Sequence, residues 1–223
     1  MRAFLFLSLA ACGGLAAAPA YAQVLTPAQV VQHCQQAYDG LHTYQITVNV
    51  DTTSGANAPR NYHTTADIKF QRPGKIQASG TDMMGGHYGY LSDGTDTIHS
   101  IGGHRSKAES AEMAIAGATG IAMHAATTIP ALLLHTQWGY PFSPRETYTP
   151  TLAADTVGGH PCYRVSGSNG FEDMICWVDK KTFLLRRYAT TSASLHLHKD
   201  EVFSGERINA PLPADTFQMP AGE

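Results

Sequence analysis

Eleven histidines in a chain of 223 residues make metal ligation the first chemistry to test. The best pair is His196 and His198, which as alternate residues of a strand would share one face, with Asp200 following in phase. No cysteine or acidic pattern adds a ligand at a recognised metal spacing, so the pair reads as a wet strand face and no metal is expected. Nucleophilic catalysis has thinner support. There is no G-x-S-x-G elbow, and "SGSNG" at 166–170 is a turn sequence. The glycine pairs at 85–86, 102–103 and 158–159 lack the strand-to-helix setting of a phosphate loop. Arg186 and Arg187 would clamp an anion only if both faced the same way, and strand alternation sends them apart. These residue types therefore point away from an enzyme, with no catalytic residue and no cofactor expected, and toward binding. Met83 and Met84 in a loop, and Met113 and Met123 in an Ala-rich stretch, are candidate ligand contacts. Flexible thioethers suit a surface that repacks around variable apolar molecules, and core filler is the alternative reading.

Elements must position these side chains, and the first is a helix. Thr26 as N-cap, Pro27 at the first helical position and Gln29 completing a capping box predict a start at 26–27, with Leu25 and Val30 as a staple. Val30, Val31, Cys34, Ala37, Tyr38 and Leu41 form one apolar stripe, and Gly40 ends it. From Thr43 the period changes to two. Tyr44, Ile46, Val48 and Val50 share a face, and "NYHTTADIKF" repeats the alternation with Tyr62, Thr64, Ala66, Ile68 and Phe70 inward. An Arg72-Pro73-Gly74-Lys75 corner follows. Ile76 and Ala78 then belong to a third strand and Tyr88 and Tyr90 to a fourth, and Asp93-Gly94 turns the chain into "TDTIHSI". Arg72 reads as a solvated side chain, with a headgroup contact at a cavity rim as the alternative.

Residues 104–138, rich in Ala and Met, read as two helices separated near Gly117 to Gly120, with Pro130 opening a last helical segment. The sheet pattern returns at Tyr148 and continues to "LHLHKDEVFSGERI". The Pro-punctuated end, "NAPLPADTFQMPAGE", is expected to lie across the sheet. Cys162 and Cys176 are equidistant from Asn169 in the "SGSNG" turn, so a hairpin closing there would place them opposite each other as a cross-strand disulfide. Cys34 is left over, a small buried hydrophobe on the helix.

The N-terminus, "MRAFLFLSLAACGGLAAAPAYA", has one cation, an apolar run and small residues, the layout of a signal peptide over 1–22 cleaved after Ala22. Lipidation of Cys12 in "LAAC" is the alternative. Residues 23–223 then form one domain, exported to the periplasm. With 15 Lys plus Arg against 18 Asp plus Glu, net −3, nothing attracts nucleic acid. After the leader no apolar run reaches the roughly 18 residues of a membrane span, so membrane contact would be peripheral.

The order of these features, with "ADIKFQRPGKIQ", the "DGTDT" hairpin, a helical interruption, "CWVDKKTFLLRRY" and "LPADTFQMPAG", resembles the LolA/LolB-like lipoprotein-carrier superfamily across nearly the whole mature chain. The resemblance implies an α+β fold, a half-open antiparallel β-barrel with helices covering the concave face. It implies a carrier that shelters a lipid, acyl chain or lipid-anchored protein, as in lipoprotein transport during outer-membrane biogenesis. On this chain the one-sided strands make Tyr44, Ile46, Val48, Ile68, Phe70, Ile76, Tyr88 and Tyr90 the expected cavity lining. A stress sensor bound to an inner-membrane partner protein is the second reading, and a cofactor-free enzyme on the same fold the third.

Overall fold

A computed structural model describes residues 25–142, 151–168 and 171–220. The expected signal peptide at 1–22, Cys12, Tyr148 and Asn169 lie outside the described residues. The chain opens with helix α1, Pro27–Asp39, capped as expected: the Gln29 N–H donates to Thr26 Oγ1 at 3.3 Å and the Thr26 N–H to Gln29 Oε1 at 2.8 Å. Val30, Cys34 and Tyr38 are its buried face, with Leu41 just beyond it.

Six strands follow as a meander: β1 (Thr43–Ser54), β2 (Arg60–Gln71), β3 (Lys75–Thr81), β4 (His87–Ser92), β5 (Thr97–Ile101) and β6 (His104–Ala108). Their register joins like faces, with Tyr44 opposite Phe70, Ile46 opposite Ile68, Phe70 opposite Ile76 and Ala78 opposite Tyr90. Because side chains alternate with period two, this register gathers the apolar sets of β1–β4 on one side. Gly80 is required where β2 and β3 approach, since a Cβ there would fall 1.7 Å from the Thr65 carbonyl oxygen. The residues 104–108 correct the helical expectation. "HRSKA" carries a polar pattern but pairs with β5 as an edge strand, where exposure and basic side chains suit an unpaired edge.

Helix α2 (Ala111–Ile121) lies over β4, β5 and β6, and helix α3 (Thr128–Leu134) packs on α1. The break between them falls at Ala122–Thr127 and not near Gly117 to Gly120, which are both inside α2. A helical glycine costs only about 1 kcal/mol against alanine, which packing can offset. Pro130 sits in the first turn of α3, where a missing N–H leaves no helical bond unmade.

A second meander follows: β7 (Thr151–Val157), β8 (His160–Ser168), β9 (Asp173–Asp179), β10 (Leu185–Ser192) and β11 (Leu197–Ile208). Strand β11 pairs with β1, giving a single antiparallel sheet in the order β6-β5-β4-β3-β2-β1-β11-β10-β9-β8-β7. Strands β6 and β7 do not pair with each other, so the described sheet is an open half-barrel, as the resemblance implied. The closing segment lies across the outside of the first meander, where Gln218 and Pro220 share a depression with Gln77, Ser79, Leu91 and Ile98.

The expected Cys162–Cys176 disulfide is corrected by the β8–β9 register. Cys162 lies opposite Asp179, and Cys176 opposite Val165. Ser168 pairs with Asp173, a register three residues, an odd number, away from the one that would join Cys162 to Cys176, which sends the two cysteines to opposite faces. Cys176 joins the concave core, while Cys162 packs outside with Trp177 and Ala189. Both, and Cys34, are free thiols.

Candidate functional site

The eight aromatic and aliphatic residues expected to line a cavity lie together in the packed core, and none of them borders the cavity described below. Tyr44, Ile46, Val48, Ile68, Phe70, Ile76, Tyr88 and Tyr90 all stand on the concave face, each at most 3% exposed, in one core with Ile115, Ile129, Leu132 and Leu133 from the helices. They form the packed part of that face. Their phenol groups are committed: Tyr90 donates to the Ala126 carbonyl at 2.7 Å, Tyr88 to that of Thr65 at 3.0 Å, and Tyr44 to Glu206 Oε1 at 3.1 Å. Burial also holds all three well above the ordinary phenol range.

Further contacts fix the helical cover to the first meander. Tyr90 to Ala126, Thr64 Oγ1 to the Ala122 carbonyl at 2.9 Å and the Met83 N–H to the Ile121 carbonyl at 3.3 Å tie the α2–α3 link to β2–β4. On the other side the link faces the second meander across open space, a cavity of about 490 Å³. Thr119, Gly120, Met123 and His124 form its cover and Gln137–Tyr140 its back wall. Thr52, Met174, Tyr188, Thr190, Leu197 and Lys199 form its floor, and Glu172 stands beside it. Gly139 shapes the back wall. Its φ is +81°, and a Cβ there would lie 2.8 Å from Thr127 Cβ.

Of the candidate methionines only Met123 lines this space. Met83 is half-buried in the β3–β4 loop, whereas Met84 is 85% exposed and Met113 54% exposed. Met174, opposite Thr190, is the methionine on the floor, and sequence reasoning passes over it.

The floor also holds charge. Lys199 lies opposite Thr52 on β1 and Thr190 on β10, and Glu201 lies opposite Val50 and Tyr188. Alternation places Lys199, Glu201 and Phe203 inward together, with exposures of 5%, 0% and 5%. Lys199 Nζ stands 2.8 Å from Glu201 Oε1 and 5.2 Å from the centre of the Tyr188 ring. The pair is close, yet neither Glu201 oxygen makes a well-formed hydrogen bond among the described residues. Burial outweighs the neighbouring ammonium and raises the Glu201 carboxyl above its ordinary range. His124 is pushed down to about 3 by burial and then by the Lys199 charge, so it is neutral at physiological pH.

These two inward charges escape a reading that phases β11 on its histidines. The opposite phase, Leu197, Lys199, Glu201 and Phe203, begins and ends apolar, which is the available signal. His196 itself sits in the turn before the strand with φ +47°. His198 contacts Thr191 Oγ1 at 3.0 Å, and Asp200 is held by Arg187 through bonds of 2.6 and 2.9 Å, so the three do not converge. Arg187 also stacks over Trp177 at 4.7 Å, while Arg186 reaches Asp179 and Glu206 at 2.9 Å each, on the other face. Arg72 is neither solvated nor at the cavity. Its guanidinium donates to the Leu41 and Tyr38 carbonyls at 2.9 and 3.0 Å, capping the end of α1.

No family model matches the chain, and no curated protein matches it. Solved structures do. An uncharacterized conserved protein from Thermus thermophilus aligns with a TM-score of 0.50 at 9% identity, covering 87% of this chain and 93% of that one. The lipoprotein LppX of Mycobacterium tuberculosis aligns at 0.48 and 13% identity, covering 85% and 98%. The LolA superfamily protein NE2245 from Nitrosomonas europaea aligns at 0.38 and 10% identity, covering 88% and 99%. At such identities the likeness is one of fold, that of an open antiparallel half-barrel.

Proposed function

We propose that this chain is a periplasmic binding or carrier protein that shelters a lipid, an acyl chain or another largely apolar ligand against its concave face. The observation that supports it best is the cavity of about 490 Å³ between the α2–α3 link and β9–β11. Its size falls within the roughly 300–1,000 Å³ of small-molecule sites, and its walls set apolar Met123, Trp138, Met174 and Leu197 beside a polar floor. A link that faces the second meander across open space can yield toward it, which a carrier needs for loading and release. Each methylene sheltered would contribute about 0.8 kcal/mol. Native mass spectrometry of the gently purified protein should show a co-purifying lipid, and added fluorescent fatty acid should bind saturably. A clean apo mass with no uptake would contradict the reading.

A second reading, binding of a partner protein, is favoured by one observation. Met84, Phe171 and Leu195 are 85%, 72% and 64% exposed, and their loops share the end of the sheet beside which Thr52, Glu172 and Leu197 border the cavity. Capture of a single inner-membrane protein, lost on Leu195→Ser and Phe171→Ser, would support it.

A further inference from the structure

A container for plain hydrocarbon would not need the floor this cavity has. Thr52 is 2% exposed, lines the cavity, and its Oγ1 has no hydrogen-bond partner among the described residues. Directly opposite stands Lys199, and beyond it Thr190, so three donors lie side by side on one face of neighbouring strands. Glu201 engages the Lys199 ammonium, which has three N–H groups to place. An alkane end laid on this row would leave it dehydrated and unpaired, at a cost that works against binding.

We propose that this row is a seat for the carboxylate of an amphiphilic ligand, with Lys199, Thr52 and Thr190 donating to the head and the hydrocarbon body lying toward Met174, Met123 and Trp138. The inference rests on the binding reading above and specifies its ligand class. The two oxygens of a carboxylate accept at about four sites, enough for all three donors. His124 borders the same cavity and, kept neutral at physiological pH by burial and then by the Lys199 charge, leaves Lys199 as the cation of the row. An ammonium head would meet Lys199 instead, and a neutral ester or alcohol would offer only uncharged acceptors to the ammonium N–H groups that Glu201 leaves over. Glu201 is the opposing charge of the floor. It lies one step deeper, between Val50 and Tyr188, where it is already held to Lys199 and shielded from the cavity. A phosphate head, bulkier and up to doubly charged, is the poorer match to that setting.

Equilibrium dialysis of the intact protein against radiolabelled lauric acid and methyl laurate tests this. The acid is expected to bind about tenfold more tightly than the ester, the size of one charge-assisted contact. Lys199→Met should bring the two within about twofold of each other, and Thr52→Val should remove part of the acid's advantage. Equal binding of acid and ester by the wild type would overturn the seat while leaving the apolar cavity standing. An acid preference unchanged in both variants would overturn it too. No binding of either molecule would remove the binding reading together with the seat.

Discussion

The inward Lys199–Glu201 pair yields the most demanding prediction about how this fold is held together. Lys199 is 5% exposed and Glu201 0% exposed, with Nζ and Oε1 2.8 Å apart. Replacing Lys199 with Met removes the only cation in contact with that carboxylate among the described residues. Breaking a buried pair from one side costs about 3–5 kcal/mol, because the remaining charge is left dehydrated, whereas an exposed pair is worth about 0–1 kcal/mol. Lys199→Met should therefore lower the unfolding free energy by about 3 kcal/mol or more in urea titration, with an unchanged denaturant slope. Lys199→Met combined with Glu201→Gln should recover most of the loss, since neither charge then remains. The defect of the single variant also has a sign in pH. Burial holds Glu201 above its ordinary value of 4.5, so the folded state keeps a proton that the unfolded chain releases. The defect should be small while Glu201 is protonated in both folded proteins and grow as pH rises above the wild type's raised value, where only the wild type has Lys199 beside the ionised carboxylate. A loss under about 1 kcal/mol, with no gain from the second substitution, would mean that the pair faces water and that the inward phase of β11 is wrong.

Other outcomes follow from the same geometry. His124 has its folded-state value pushed from 6.5 to about 3, so it contributes stability that is present above pH 6.5 and lost as pH falls toward 3. His124→Gln should flatten that part of the stability profile measured against the wild type, and an unchanged slope would contradict the buried placement. Arg72→Gln removes two bonds to the α1 terminus and should cost about 1–3 kcal/mol, with faster amide exchange confined first to the end of α1. Thr26→Ala should cost about 1 kcal/mol by opening the capping box. Thiol titration of unfolded, unreduced protein spanning residues 23–223 should count Cys34, Cys162 and Cys176 all as free, and loss of two would restore the disulfide.

Local chemistry explains how much of this is readable from sequence. The start of α1 is legible because a capping box involves residues three apart, and β1–β4 because one face is apolar at every second position. The Arg72-Pro73-Gly74-Lys75 corner is legible as a turn, but the destination of the Arg72 side chain depends on α1, more than thirty residues away. The edge strand "HRSKA" carries no apolar alternation to announce it. The β8–β9 register turns on loop length, and a difference of a few residues there decides whether two cysteines face each other. The site is the least legible part. Its floor is made of Thr52, Thr190, Lys199 and Glu201, residue types that signal a wet face, and only the partner strands show that this face is the inner one.

The central claim, that ligand enters the cavity between the α2–α3 link and β9–β11, can be tested with the two tryptophans. Trp138 borders the cavity, while Trp177 lies in the cluster on the opposite face with Cys162 and Ala189. Titration with a brominated fatty acid should quench Trp138 saturably in a Trp177→Phe variant and leave Trp177 nearly unquenched in a Trp138→Phe variant. Binding with Trp138 unquenched, or with Trp177 quenched as strongly, would place the ligand elsewhere and contradict the account.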